Sequence, residues 1–296
     1  LLAPLPLDEH RRTWMYVLLG VAFSANIGGI GTLVGSPPNA IAAAAVGIDF
    51  AEWMSWGLPL VLVMMPLMEI GLRVVLRPRL DVVVTPPPPP GGWTPAQQRM
   101  LALFGFTVLL WVFGAPLGAA LGFAQGYDAA VALLALVLLH GLRLAGWQDV
   151  ERSTEWGVLL LFGGGLTLSK ALAASGAAAW LATQLGGPLA ALPAWVCIAL
   201  MVLFALLLTE VTSNTASAAL LIPLFLGLAP HVERAPLAVL VAVGTSCAFM
   251  LPVATPPNAI VFGSGHVPQR MMILGGSGVT VLVYPALVLA ALIALA

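Results

Sequence analysis

Charge is what this sequence has least of: 8% of its 296 residues are charged and 60% are hydrophobic, where an ordinary soluble domain carries roughly a quarter charged residues. That excludes a soluble globule and points to an integral membrane protein. The 11 Lys and Arg residues are scattered and the net charge is -1, so the chain offers no basic face for nucleic acid. Cysteine is nearly absent. Cys197 and Cys247 stand singly in apolar runs, read as small buried hydrophobes, and say nothing about redox compartment. His140 and His266 have no second His or Cys at metal-ligand spacing. The chain opens Leu-Leu-Ala-Pro, with neither an initiator methionine nor a signal-peptide pattern, and is expected to be a fragment of a longer one.

Several apolar runs approach the roughly 17–25 residues that a helix needs to cross a bilayer core, unlike a barrel's short alternating strands. The fold expected is therefore an all-α polytopic membrane protein. The runs cover 14–46, 57–76, 100–117, 127–142, 156–172, 193–229, 236–262 and 271–296, and those at 14–46, 193–229 and 236–262 are broken by polar, Gly or Pro clusters. Pro86 to Pro90, followed by Gly91 and Gly92, cannot be helical, because proline lacks the amide donor and clashes with the preceding turn. Residues 86–98 are read as a cytoplasmic linker between a first part, 1–85, and a second, 99–296.

Short cytoplasmic loops collect Lys and Arg. With residues 1–13 inside, successive crossings put Arg11, Arg12, Arg73, Arg77, Arg79, Arg99, Arg143, Arg152 and Arg270 inside, and leave Lys170 and Arg234 elsewhere. The same count makes 193–229 enter and leave on the outer side. Its centre, TEVTSNTAS at Thr209 to Ser217, is too polar for a lipid-facing turn, and its arms are short for full spans. It reads as a re-entrant hairpin with its tip buried in protein near mid-membrane.

SPPNAI at Ser36 to Ile41 returns as TPPNAI at Thr255 to Ile260, and Asn39 and Asn258 stand 219 positions apart (258 minus 39). In this topology the chain runs outward through the first copy and inward through the second, so the copies are inverted. Inverted repeats with helices broken at matching positions point to a secondary transporter's site at the bilayer midplane. Each break frees carbonyls, hard ligands for an alkali cation, and starts a half-helix whose positive end suits an anion. A proline kink accounts for one such motif but not for an inverted pair beside a polar tip. Asn214 precedes Asn258 by 44 positions (258 minus 214), so the first repeat's own tip is expected five residues before Leu1 (39 minus 44 is -5).

Ser213-Asn214-Thr215, the two Pro-Pro-Asn breaks and LLFGGGLTLSKAL at Leu160 to Leu172 resemble the divalent anion/sodium symporter family, of the dicarboxylate transporter type, over nearly the whole chain. The resemblance implies a homodimeric carrier of di- and tricarboxylates, usually coupled to Na+, in which a transport domain moves as an elevator against a scaffold. By this likeness one sodium site takes Gly35 together with the upstream hairpin, and a second takes Thr209, Thr212, Ser213, Asn214 and Ala254. The substrate's carboxylates would meet Ser36 and Pro37, Asn214 and Thr215, and Thr255 and Pro256. The likeness further implies scaffold helices at 57–76 and 271–296 and an interfacial arm at 171–190. The departure from the family pattern is the first SNT hairpin, which this chain lacks.

No Lys or Arg lies in the three motifs, so a dianion's charge has to be offset by bound cations and helix dipoles, which couples substrate affinity to sodium. Glu210, beside the tip, reads either as a proton relay, the default for an intramembrane carboxylate, or as a group whose hydrogen bonds shape the hairpin. FGGGL at Phe162 to Leu166 lacks the Lys-Ser/Thr ending of a phosphate loop and reads as a packing or hinge element. GGSG at Gly275 to Gly278 matches an intramembrane serine protease motif, but no His at helical depth faces Ser277; Tyr127-Asp128 lacks the partner motif of an aspartyl protease. No enzyme is expected. The function expected is sodium-coupled symport of C4 dicarboxylates (succinate, malate, fumarate) across a bacterial inner membrane. Alternatives are proton-coupled, exchanging, sulfate- or citrate-carrying relatives and, in another class, a cation channel, since broken helices also build pores.

Overall fold

The computed structural model describes residues 7–79, 91–123, 126–154 and 191–295, with scattered residues between 156 and 180. The expected helix at 156–172, the FGGGL element and the arm at 171–190 lie largely outside the described residues. So does the proline run at 86–90.

Among the described residues every regular element is helical. The first interrupted run becomes α1 (Leu7–Gly28), a 3-10 turn at Gly29–Gly31 and α2 (Pro37–Val46). α3 (Phe50–Leu76) starts ahead of its apolar run because the Asp49 carboxylate accepts from the Glu52 amide at 2.8 Å, an N-cap that satisfies an orphan donor. α4 (Pro95–Val112) likewise begins before residue 100: Thr94 and Gln97 form a reciprocal capping box, and the last part of the expected linker is helical. α5 (Gly114–Ala120), α6 (Tyr127–Gly141) and the short α7 (Trp147–Ser153) follow. α8 (Ala194–Thr209) and α9 (Asn214–Leu228) flank the polar tip; α10 (Arg234–Ser246) and α11 (Pro256–Gly263) flank the second break; α12 (Gln269–Ala294) ends the described chain.

α10 is the central strut. Every residue from Pro236 to Ser246 is buried, as expected of a helix apolar on all sides, and α8, α9 and α2 pack around it. α3 packs against α1 and α12. These last three are long and apolar enough to cross a bilayer: His10–Gly31, Phe50–Leu76 and Gln269–Ala294.

Two pairs of contacts fix the relative direction of the broken helices. At the start of α1 the Trp14 ring lies 5.0 Å from that of His266, just beyond α11; near the end of α1 the Asn26 amide donates to Thr255 Oγ1, at the start of α11, at 3.2 Å. α1 and α11 are therefore antiparallel. Arg234, which opens α10, donates to the Ala45 carbonyl near the end of α2 at 3.3 Å, and Ser246, which closes α10, meets Ser36 at the start of α2 at 3.4 Å. α10 and α2 are antiparallel too. The first arm of each broken helix thus packs along the second arm of the other.

The GGSG stretch is a packing device. A Cβ on Gly276 would stand 2.4 Å from the Phe249 carbonyl oxygen, so glycine is what lets α12 lie against the backbone of the second break. Small residues serve this purpose where lipid supplies no hydrophobic drive between helices.

Candidate functional site

Both breaks are shaped by their asparagines. Asn39, fully buried, donates through Nδ2 to the carbonyls of Gly29 and Thr32, each at 2.8 Å. Asn258, equally buried, donates to Ala248 and Leu251, each at 3.1 Å. In both cases the acceptors lie ten and seven residues upstream. A helix that stops leaves carbonyls short of intrahelical partners, and one side chain per break donates to two of the carbonyls there, Thr32 and Leu251 also taking turn bonds from the Gly35 and Ala254 amides. The first break is the tighter: a Cβ on Gly35 would meet the Gly29 oxygen at 2.4 Å, whereas Ala254 and Ala248 occupy the matching positions of the second. Asn39 Oδ1 is buried without a hydrogen-bond partner among the described residues.

Asn26 was not anticipated. Its Nδ2 approaches the Ala248 carbonyl at 3.3 Å, Thr255 Oγ1 at 3.2 Å and Asn258 Oδ1 at 3.3 Å, pinning α1 to the second break. Its mark in the sequence is a polar side chain that, with Ser24, interrupts an apolar run, 219 positions before Thr245 (245 minus 26).

Glu210 carries the tip's charge and is buried. Its carboxylate accepts from the Phe249 amide at 2.8 Å, from Met250 at 3.0 and 3.1 Å and from Leu251 at 3.0 Å. These donors are the amides of the second break, so one side chain both neutralises an unwound backbone segment and ties tip to break. Its bonds are structural but differ from the hairpin-shaping role expected: they run to the second break, outside 193–229.

A cavity of about 650 Å³ opens where breaks and tip meet. It is lined by Ser36, Pro37, Asn214, Thr215, Thr255 and Pro256, the six residues expected for substrate, together with Gly35, Ser213, Ala254, Asn26, Gly29 and Ser246. Among the described residues no charged side chain lines it. Its polarity comes from helix ends, since the N-caps of α2 (Ser36), α9 (Ser213) and α11 (Thr255) all face it. Three amino ends bring three partial positive charges to one space. Pro37 and Pro256 open α2 and α11, so the dipole is kept while amides that would otherwise lack partners are absent. Ser36 makes no capping bond of its own; Thr255 caps Asn258 at 3.3 Å and Ser213 caps Ala216 at 3.3 Å.

Behind the tip lies an oxygen cluster. Thr209 Oγ1, fully buried, is 2.7 Å from Asn214 Oδ1 and 2.8 Å from the Thr245 carbonyl. One hydroxyl proton serves two acceptors, which leaves this group of three oxygens short of hydrogens and suited to a hard cation. Thr245 O belongs to the C-terminal end of α10, the negative end of a half-helix. Thr212 is turned elsewhere, its hydroxyl on the Leu208 carbonyl at 3.0 Å and Ser217 Oγ at 2.6 Å. Thr209 and Thr212 do not line the cavity; Gly35, Ser213, Asn214 and Ala254 do.

Comparison with known proteins places these features in a family. The model of the citrate transporter family, CitMHS, matches residues 5–244. The chain belongs to the citrate transporter family. It is 40% identical over 285 residues to an uncharacterized transporter of Haemophilus influenzae, covering 93% of this chain and 62% of that protein. It is 32% identical over 272 residues to the transporter MJ0672 of Methanocaldococcus jannaschii, covering 90% and 62%. It is 34% identical over 299 residues to the sodium-dependent dicarboxylate transporter SdcS of Staphylococcus saprophyticus, covering 92% and 57%. The chain thus spans about six tenths of the length of the curated relatives it matches. Family membership makes it a multi-pass membrane protein of transporter type, and the divalent anion/sodium symporter resemblance is upheld.

Proposed function

We propose that the full-length protein is a sodium-coupled secondary active symporter of C4 dicarboxylates such as succinate, malate and fumarate, in a bacterial inner membrane. The observation that carries this reading is the cavity at the two breaks. Three helix amino ends face it, no Lys or Arg does, and an oxygen cluster stands behind one wall. Amino ends attract a carboxylate, but their partial charges do not neutralise a dianion, so a co-bound cation is required for tight binding. Sodium at Thr209, Asn214 and the Thr245 carbonyl would supply it, with Ser213 and Ala254 completing the tip side and Gly35 a second ion; Thr212, whose hydroxyl is engaged with Leu208 and Ser217, would have to turn to join them. Ser36, Asn214, Thr215 and Thr255 would hold the substrate, their hydroxyls and amide donating to carboxylate oxygens. Pro37 and Pro256 would shape its walls.

The antiparallel pairing of α1 with α11 and of α10 with α2 supports inverted repeats, and Arg234 at the end of the broken helices away from Arg11 and Arg12 fits the assigned sidedness. We read α8 and α9 as a re-entrant hairpin, α3 and α12 as scaffold, and the transport step as an elevator movement in a homodimer. The name of the staphylococcal relatives favours sodium and dicarboxylate; the name of the family favours citrate as a second candidate. Uptake of labelled succinate and citrate by the full-length protein in liposomes separates these. Saturable, sodium-gradient-driven succinate uptake without ionic conductance supports the reading, whereas a sodium conductance without substrate accumulation makes the protein a channel.

A further inference from the structure

Away from the cavity at the breaks lies a second one, of about 630 Å³, lined by Arg11, Arg12, Arg77, Arg79, Arg270 and His10, the five arginines being exposed. Among the described residues no acidic side chain lines it and none of these arginines is ion-paired. They come from three places: the start of α1, the segment just past α3 and the start of α12. Those are adjacent ends of the three helices long and apolar enough to cross a bilayer, so the cavity sits at headgroup depth. Arg11 is 15 positions before Asn26 on α1 (26 minus 11), roughly 20 Å at 1.5 Å per residue; this is not the transport site.

The positive-inside tendency explains the sign of these residues; five arginines around one open cavity concentrate positive charge where an anion would be attracted. The backbone is set for this. Thr13 Oγ1 donates to the Arg79 carbonyl at 2.9 Å and accepts from its amide at 3.2 Å, anchoring the segment past α3 to α1. Arg77 closes α3 in the left-handed region, φ 47°, a conformation that glycine would adopt without cost. His10 Nδ1 is buried without a hydrogen-bond partner among the described residues. Met15 and Met271 add apolar wall.

We propose that this cavity binds a phosphate-bearing anion, either the headgroup of an anionic phospholipid or free phosphate. Guanidinium forks match phosphate oxygens in pairs, and basic pockets between membrane helices on the cytoplasmic side take such headgroups.

The test uses the full-length protein in neutral detergent, titrated with short-chain phosphatidylglycerol, short-chain phosphatidylcholine and inorganic phosphate, with binding read by native mass spectrometry. Phosphatidylglycerol is expected to bind and phosphatidylcholine not to. The Arg77→Gly, Arg270→Gln variant is expected to lose about thirtyfold in affinity, at about fivefold per arginine near a membrane surface, while the Arg143→Gln, Arg152→Gln variant, altered outside the cavity, keeps it. Displacement of the lipid by millimolar phosphate identifies free phosphate as the ligand, and lack of displacement identifies the headgroup; either keeps the site. Should the first variant fail to fold, wild-type affinity is followed against choline chloride and is expected to fall as screening increases. Equal binding of the two lipids with no phosphate binding, or unchanged affinity in the folded Arg77→Gly, Arg270→Gln variant, overturns the proposal.

Discussion

Asn39 and Asn258 hold the same place in two loops that share little else: each donates its side-chain amide to the carbonyls ten and seven residues before it. The hexapeptide repeat is thus a repeat of structure. Pro-Pro starts the new half-helix, and the asparagine three positions after the cap reaches back to satisfy the end of the old one.

Asn39→Ala and Asn258→Ala each remove two hydrogen bonds, while Thr32 and Leu251 keep turn bonds from the Gly35 and Ala254 amides and Ala248 keeps Asn26, so each is expected to cost about 0.5–1.5 kcal/mol per bond lost. Asn→Asp keeps the volume but supplies no donor, so it should be no milder than alanine. Thermal unfolding of the full-length protein in detergent checks this, and an aspartate variant as stable as wild type would show that the carbonyls find other partners.

Glu210→Gln preserves shape but replaces one acceptor oxygen with a donor that faces the amides of Met250 and Leu251 or of Phe249 and Met250. Hydrogen bonds to charged groups are worth about 1.5–3 kcal/mol, so uptake is expected to drop at least about tenfold while surface expression persists. A proton relay would behave differently, with glutamine abolishing the pH dependence of uptake and leaving a residual rate insensitive to pH.

Much of this was legible in the sequence because the features are local. The breaks, the polar tip and the long apolar runs announce themselves through proline, Ser-Asn-Thr and hydropathy, and the six expected substrate residues do line one cavity. What was not legible depends on distance in the chain. Asn26 acts on residues more than 200 positions away, and the amides bound by Glu210 lie about 40 positions downstream. The Thr245 carbonyl near Asn214 is backbone, and no side-chain pattern marks it. Helix starts at Phe50 and Pro95 were set by caps in polar flanks rather than by apolar periodicity.

At the tip, two substitutions should separate ion from substrate. Asn214→Ala removes an oxygen from the Thr209 and Thr245 cluster and a lining group from the cavity, so sodium and succinate affinities should fall together. Thr215→Val keeps shape and removes one hydroxyl, at about 1 kcal/mol, so succinate affinity should fall about fivefold with sodium affinity little changed. Uptake titrations in sodium and in succinate provide the check; equal losses for Thr215→Val would assign it a structural role.

Glycine positions on α1 and its break should respond with opposite signs. Gly35→Ala drives a methyl to 2.4 Å from the Gly29 oxygen and should abolish uptake. Gly20→Ala meets nothing within 4 Å and should stabilise α1 by roughly 0.5–1 kcal/mol. Melting temperature and uptake, measured on both variants, report the difference.

The central claim is that a cavity without cationic side chains binds a dianion because sodium binds beside it. Equilibrium binding of succinate to the purified full-length protein, measured in sodium and again with sodium replaced by choline at constant ionic strength, tests it most directly. The account predicts saturable binding that strengthens as sodium rises and is lost in choline. Succinate affinity that is the same in both would contradict it.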